Sequence, residues 1–464
     1  MSSLAVLLIA IPLIAAFVSI LSKKVAPYLL LIASLINVIL LFYFVPDGIV
    51  VIGGYDLPYG INLFVDTFSR TGLGVVNVLF LVIVLLNIVE FKKYSSVLLV
   101  ALAGLNGLLL TGDLFNLFVF LEISGIAAYL ITTSNHKPLA TFRYLIIGAV
   151  GSSLYLFGLI IFYGMFGTLN LMDMVSFIQA NNVDPSALVL PAMLMFIGLG
   201  VEAKLLPFNS WVKGVLKDSN TLSGPMIAAV YAATISFVFG RIINNLLTLA
   251  FVGNLLIVVL VLLAVGIFIA EAMAFASTKV REILLYSSIA QASIVILLFV
   301  NGIVLWAVYL IIANALSKTV MFLVINKATK DHGDDESDSL QGVFSKNILV
   351  GITFSVATLS VMGLPLFMGF VVKLNYLTEL AVGAQWALLA VILISSIIEG
   401  IYFVRMLIKL WYPEKNEVTV KFDLGFKVVF VAIALILLAL GTYTAPLNTL
   451  DNSIDTIAEV IDNG

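Results

Sequence analysis

Seven ionisable residues stand where an apolar solvent would penalise them. Glu122, Glu202, Lys204, Glu271, Lys318, Lys373 and Glu399 all fall inside long hydrophobic runs. Facing lipid at the centre of a bilayer, each would cost about 2.5–3.5 kcal/mol or more. The sum approaches about 20 kcal/mol, more than the usual net stability of a fold, so these side chains must face protein or water-filled cavities. The chemistry open to them is the gain and loss of protons or the holding of a small cation. An acid–amine pair favours both charges, and burial opposes both. Breaking and remaking such pairs therefore lets one charge movement alter the next.

Bond-making chemistry has little to work with. There is no cysteine, which removes thiol redox, disulfides and iron–sulfur ligation together. The two histidines, His136 and His332, lie in polar loops. No catalytic residue, metal site or cofactor is expected, and any redox centre would belong to another subunit. Two prolines add a structural signal. Pro207 cannot donate to the carbonyl of Ala203, beside Lys204, and Pro365 does the same to Val361, eight residues before Lys373. Each alone reads as a kink. Two breaks beside two buried lysines point to ion sites, because mid-membrane breaks persist where they line a cavity. Glu271 and Glu399, each about two or three turns from a helix end, read equally as paired structural ions. Glu399 is kept in the ion-handling set and Glu271 is left outside it.

The elements that must position these residues are membrane spans. Of 464 residues, 62% are hydrophobic and 11% charged, against roughly 45–50% apolar in soluble domains, and mean hydropathy is +1.19. A span needs about 20 apolar residues. That ruler gives fourteen, at 4–21, 27–45, 63–90, 95–112, 114–133, 139–166, 187–206, 222–249, 252–276, 281–300, 303–326, 347–372, 384–411 and 425–444. The first run has no basic residue before it and is expected to be a span rather than a removed signal peptide. Of the 23 Lys and Arg, 18 lie in or beside odd-numbered connections, from Lys23 and Lys24 to Lys415, Lys421 and Lys427. The even-numbered connections carry Asp47, Asp56, Asp173 and Asp184 instead. By the positive-inside rule the spans are even in number and both termini are outside the cell membrane. The acidic stretch 331–338 reads first as a solvated connector, with cation binding as the alternative.

Several segments together resemble the antiporter-like subunits shared by respiratory complex I, Mrp-type cation/proton antiporters and membrane-bound hydrogenases. DLFNLFVFLEISGIAAYL (113–130) is similar to the family's fifth helix and places Glu122 at its essential glutamate. KVREILLYSSIAQAS (279–293) resembles the stretch with the "AYSS" signature, and NALSKTVMFL (314–323) resembles "HALFKALLFL". GLPLFMGFVVK (363–373) resembles "GxPxxxGFxxK", with Lys373 at its lysine, and INLFVDTFS (61–69) resembles "VDGLS". The resemblance runs from Ile61 to Tyr412 and implies an all-α fold of about fourteen transmembrane helices with two inverted five-helix repeats, each with a broken helix. It divides the chain into helices 1–4 (1–112), a first repeat (113–250, with helix 4), a second repeat (251–412), and a last helix with a short acidic tail (413–464). The departures are specific. The family's seventh-helix lysine position holds Glu202, with Lys204 two residues on, about 200° around an unbroken helix. The histidine of that motif is Asn209, the eighth-helix lysine position falls on Ala233, and the eleventh-helix histidine is Asn314.

The preferred reading is ion translocation without bond chemistry. Glu122 with Glu202 or Lys204 forms one half-channel, and Lys318, Lys373 and Glu399 form the other, with Asn314 as a polar relay. The expected partners are other membrane subunits, further antiporter-like ones among them, an iron–sulfur redox arm, protons or sodium ions, and the lipid bilayer, but no nucleic acid. Two alternatives remain open. One is a degenerate structural subunit that keeps the fold and binds neighbours but conducts nothing. The other is a stand-alone solute carrier, which would need a substrate-sized polar pocket.

Overall fold

The computed structural model describes residues 4–55, 59–413, 420–444 and 447. Asp56, Lys415 and the acidic tail apart from Leu447 lie outside the described residues. Seventeen helices and one hairpin follow in order: α1 (Leu4–Leu21), α2 (Ala26–Tyr43), β1 (Gly48–Ile52), β2 (Ile61–Val65), α3 (Thr67–Phe91), α4 (Ser95–Leu110), α5 (Leu114–Thr132), α6 (Pro138–Phe166), α7 (Leu171–Ala180), α8 (Pro185–Glu202) and α9 (Ser210–Leu216). The chain continues with α10 (Ser223–Asn245), α11 (Gly253–Ala276), α12 (Val280–Val300), α13 (Val304–His332), α14 (Ile348–Met362), α15 (Met368–Val382), α16 (Trp386–Trp411) and α17 (Leu424–Thr442).

Among the described residues, thirteen helices are long and apolar enough to cross a bilayer. A fourteenth crossing is made by α14 and α15 in series. At 15 residues each they reach only about 22 Å apiece, too short alone for a core of roughly 30 Å. Spans four to eight are α4, α5, α6, α8 with α9, and α10; spans nine to thirteen are α11, α12, α13, α14 with α15, and α16. Corresponding helices are five spans apart, an odd number, so the two five-helix repeats run in opposite directions through the membrane. The fourth span of each repeat is the broken one.

Several boundaries differ from the hydropathy reading; the eleventh span, for one, runs to His332 rather than 326 and the eighth ends at Asn245 rather than 249. Residues 61–65 form the hairpin strand β2, paired antiparallel with β1, and the third span starts at Thr67. Asp66 caps it: the backbone N–H of Ser69 donates to the Asp66 carboxylate while the Ser69 hydroxyl accepts from the Asp66 N–H, a reciprocal box. Burial works against ionising Asp66, but the Arg241 guanidinium at 2.7 Å and the Ser69 bonds outweigh it and hold the carboxyl below its ordinary range. The twelfth span runs to Val382 rather than 372, and α8 stops at Glu202 rather than 206. The short helix α7, capped by Asn170, was not anticipated, because ten residues are too few for hydropathy to separate from a loop. The acidic stretch is more than a solvated connector. Val280 donates its N–H to the Asp335 carbonyl, Lys279 lies 3.4 Å from the Asp335 carboxylate, and Lys409 pairs with Asp338.

At the centre sit α10, α12 and α13; an 18-residue stretch of α12 is buried throughout. The outer helices turn apolar side chains outward, such as Ile257, Val258, Val261, Val265 and Phe268 of α11. A bilayer or neighbouring subunits must cover them.

Candidate functional site

The two breaks set the geometry. In the first, α8 ends at Glu202 and α9 resumes at Ser210. The freed turn is closed by Lys204 N–H to the Val201 carbonyl (3.1 Å) and Leu205 N–H to the Gly200 carbonyl (2.9 Å). The Trp211 indole reaches back to the same Val201 carbonyl (3.0 Å). Lys204 itself has φ 58°, in the left-handed region. It sits in the break and not on a helix, so the expected 200° offset from Glu202 does not apply. The chain reverses the direction of its side chain instead. In the second break, Gly363 takes φ 75° and closes α14 through its N–H to Leu359 and Ser360. Pro365 lies within that break, as Pro207 lies within the first.

Lys204 is 3% exposed and its ammonium donates to Ser288 Oγ on α12 at 2.9 Å. Lys318, on α13 and 1% exposed, donates to the neighbouring Ser287 Oγ at 2.7 Å and lies over the Phe403 ring at 5.9 Å. Both lysines face a cavity of about 30 Å³ that Ser236, Ser288, Gln291 and Asn314 also line. That volume holds one or two waters and no organic solute, which needs roughly 300 Å³. The cavity that the two lysines share is too small for the solute-carrier reading. Ala228, Ala229, Ala232 and Ala233 of α10 also line it, the first two within a π turn over Met226–Tyr231. The family's eighth-helix lysine position, Ala233, thus lines the cavity that Lys204 faces.

From the cavity, polar contacts lead to the second break. Asn314 donates to the Gln291 carbonyl oxygen (3.3 Å), and Gln291 donates to Glu399 Oε1 (2.8 Å). Lys373 pairs with Glu399 Oε2 (3.1 Å) and donates to the Met362 carbonyl at the C-terminus of α14 (3.0 Å), where the helix dipole favours a cation. Glu399 is 2% exposed. Lys204, Lys318, Asn314, Glu399 and Lys373 therefore share one buried region.

Glu122 and Glu202 lie apart from that region. Glu202 points away from Lys204: its carboxylate lies beside Gly148 and the Tyr129 hydroxyl, within electrostatic reach of Glu122, Tyr144 and Tyr231. Tyr144 stacks on Trp211 with ring centres 3.9 Å apart. Of the two residues offered as partner to Glu122, Glu202 lies within its electrostatic reach, while Lys204 shares a cavity with Lys318.

Ser287, Ser288 and Gln291, which carry the hydrogen bonds, were not singled out from the sequence. Their signal was present: three polar residues at i, i+1 and i+4 on an otherwise apolar span put one polar stripe on α12. Glu271, left outside the set, is 1% exposed and within electrostatic reach of Glu399, Lys373 and Lys318.

Residues 111–399 match the family described as NADH:quinone oxidoreductase/Mrp antiporter, TM. NADH-quinone oxidoreductase subunit N of Desulforudis audaxviator is 30% identical over 371 residues, covering 77% of this chain and 74% of that protein. A chain of the membrane-bound sulfane sulfur reductase, an archaeal respiratory membrane complex, superposes with a TM-score of 0.89 over 100% of both chains at 26% identity. A chain of respiratory complex I from Thermus thermophilus superposes with a TM-score of 0.79 at 22% identity, over 94% of this chain and 96% of that one.

Proposed function

Since the chain belongs to the NADH:quinone oxidoreductase/Mrp antiporter family of membrane proteins, we propose that it is an ion-translocating subunit of a multisubunit membrane complex, moving protons or sodium ions between its two helix breaks. One observation carries the reading: Lys204 on Ser288 and Lys318 on Ser287 face one small cavity, and polar contacts run from Asn314 through Gln291 and Glu399 to Lys373. Two ammonium groups facing one small cavity repel each other, so a proton arriving on one favours departure from the other. The Glu399–Lys373 pair stabilises both charges while closed, and its opening leaves Lys373 held by the Met362 carbonyl it already contacts. Waters in the cavity bridge the remaining gap. Glu122 and Glu202 sit at the far side of the first break, where they collect or release ions at the first repeat's edge.

The relatives work within respiratory or antiporter assemblies. We read the partners of this chain as other membrane subunits, with further antiporter-like ones among them, and an iron–sulfur arm held by a different subunit. The complex purified with this subunit and placed in vesicles provides the test. Lys318→Ala and Lys373→Ala should each lower ion movement per turnover by about tenfold or more, on the scale of a lost proton-transfer group, with every subunit still present. Undiminished ion movement in both variants would leave the structural-subunit reading standing and remove this one.

A further inference from the structure

We propose that Glu271 is an additional proton-binding residue of this subunit, exchanging its proton with Lys318 through the hydroxyls of Tyr402 and Ser287. The inference rests on the ion-translocating reading above and extends it to a helix, α11, that those polar contacts leave out.

Glu271 is 1% exposed, and its Oε2 has no hydrogen-bond partner among the described residues. The Tyr402 hydroxyl, on a fully buried ring of α16, is also without a partner. It stands within reach of both the Glu271 carboxyl and the Ser287 hydroxyl. Ser287 already accepts from Lys318 at 2.7 Å. Orphaned buried oxygens are rare and costly. The Tyr402 hydroxyl, interposed between the orphaned Glu271 oxygen and the lysine-bound Ser287 hydroxyl, forms a proton path with its contacts open. A glutamate serving only as packing would have no reason to leave an oxygen unpaired at the middle of a polar cluster.

Groups from every neighbouring element face this point: Ser287 and Gln291 from α12, Lys318 from α13, Lys373 and Tyr376 from α15, and Glu399 and Tyr402 from α16. In the transfer, the carboxylic O–H bond of Glu271 breaks and an N–H bond forms on a neutral Lys318 amine. Tyr402 and Ser287 each give up one proton and take another. The products are a carboxylate and an ammonium, whose attraction offsets the burial of both charges. A hydronium ion arriving along a water chain then returns a proton to Glu271 and is left as neutral water.

Four variants of the intact complex in vesicles decide the matter. Glu271→Gln keeps the shape and removes the exchangeable acid; it should lower ion movement per turnover by about tenfold while assembly persists. Glu271→Asp should recover a substantial part of the loss, which a purely steric role would not allow. Tyr402→Phe, keeping the ring, should fall below wild type. Wild-type ion movement in Glu271→Gln, alongside loss in Lys318→Ala, overturns this inference and leaves the pathway reading intact. If Glu271→Gln does not assemble, wild-type movement in Tyr402→Phe overturns it. Wild-type movement in Lys318→Ala overturns the pathway reading itself.

Discussion

Lys204 shows how a single backbone angle can redirect a charge. Its φ of 58° is one that an L-residue adopts at a cost of roughly 1–2 kcal/mol, and such strain collects where the surrounding structure enforces it for function. The reversal takes the ammonium away from Glu202 and toward Ser288 and the cavity shared with Lys318. The substitution pair Lys204→Gly and Lys204→Ala separates the charge from the backbone. Both should abolish most ion movement. Lys204→Gly should nevertheless be more stable than Lys204→Ala by about 1 kcal/mol, since only glycine is free of the Cβ clash at this angle. On an intact helix the order would be reversed. Thermal unfolding of the two purified variants in detergent checks it, and an alanine variant at least as stable as the glycine variant would refute the strain.

At the scale of elements, the second break depends on how closely α15 approaches the end of α14. A Cβ built on Gly369 would fall 1.7 Å from the Ser360 carbonyl oxygen, and the Gly369 N–H already donates to Ser360 Oγ at 3.3 Å. This approach brings Lys373, one turn further along α15, to the Met362 carbonyl. Gly369→Ala should force the two half-helices apart, costing about 1–3 kcal/mol as an overpacked contact and weakening the Lys373–Glu399 pair. A lower unfolding midpoint together with reduced ion movement is the expected result. An unchanged midpoint would show that the break relaxes without strain.

For the whole molecule, the open question is orientation. The basic loops gather on one side, where the loop after α13 is tied to the loop before α12 by Lys279–Asp335 and to α16 by Lys409–Asp338. By the positive-inside rule that side is expected to be cytoplasmic. The chain has no cysteine of its own, so single cysteines report cleanly. Lys24→Cys, in the exposed loop before α2, should resist an impermeant reagent in intact cells. Gln179→Cys, exposed on α7 in an even-numbered connection, should label. Labelling at position 24 and protection at 179 would invert the assignment.

The amino-acid sequence by itself determined the solvent, the number of crossings and the two breaks. These depend on properties that add along the chain: apolar length, loop charge, and the missing N–H of Pro207 and Pro365. It also marked the residues too costly to leave in lipid, because transfer cost belongs to a side chain wherever it finally points. Only the tertiary structure decided which of them meet. Glu202 and Lys204 are two positions apart yet face opposite ways, since Lys204 itself takes a left-handed backbone angle. Lys204 and Lys318 are 114 positions apart in the chain and share a cavity because α12 offers Ser287 and Ser288 side by side. Glu271 read equally as a structural ion near a helix end until α16 brought Tyr402 beside it. Local pattern carries period and polarity. Which polar faces are opposed follows from helix packing across hundreds of residues, and hydropathy holds no trace of it.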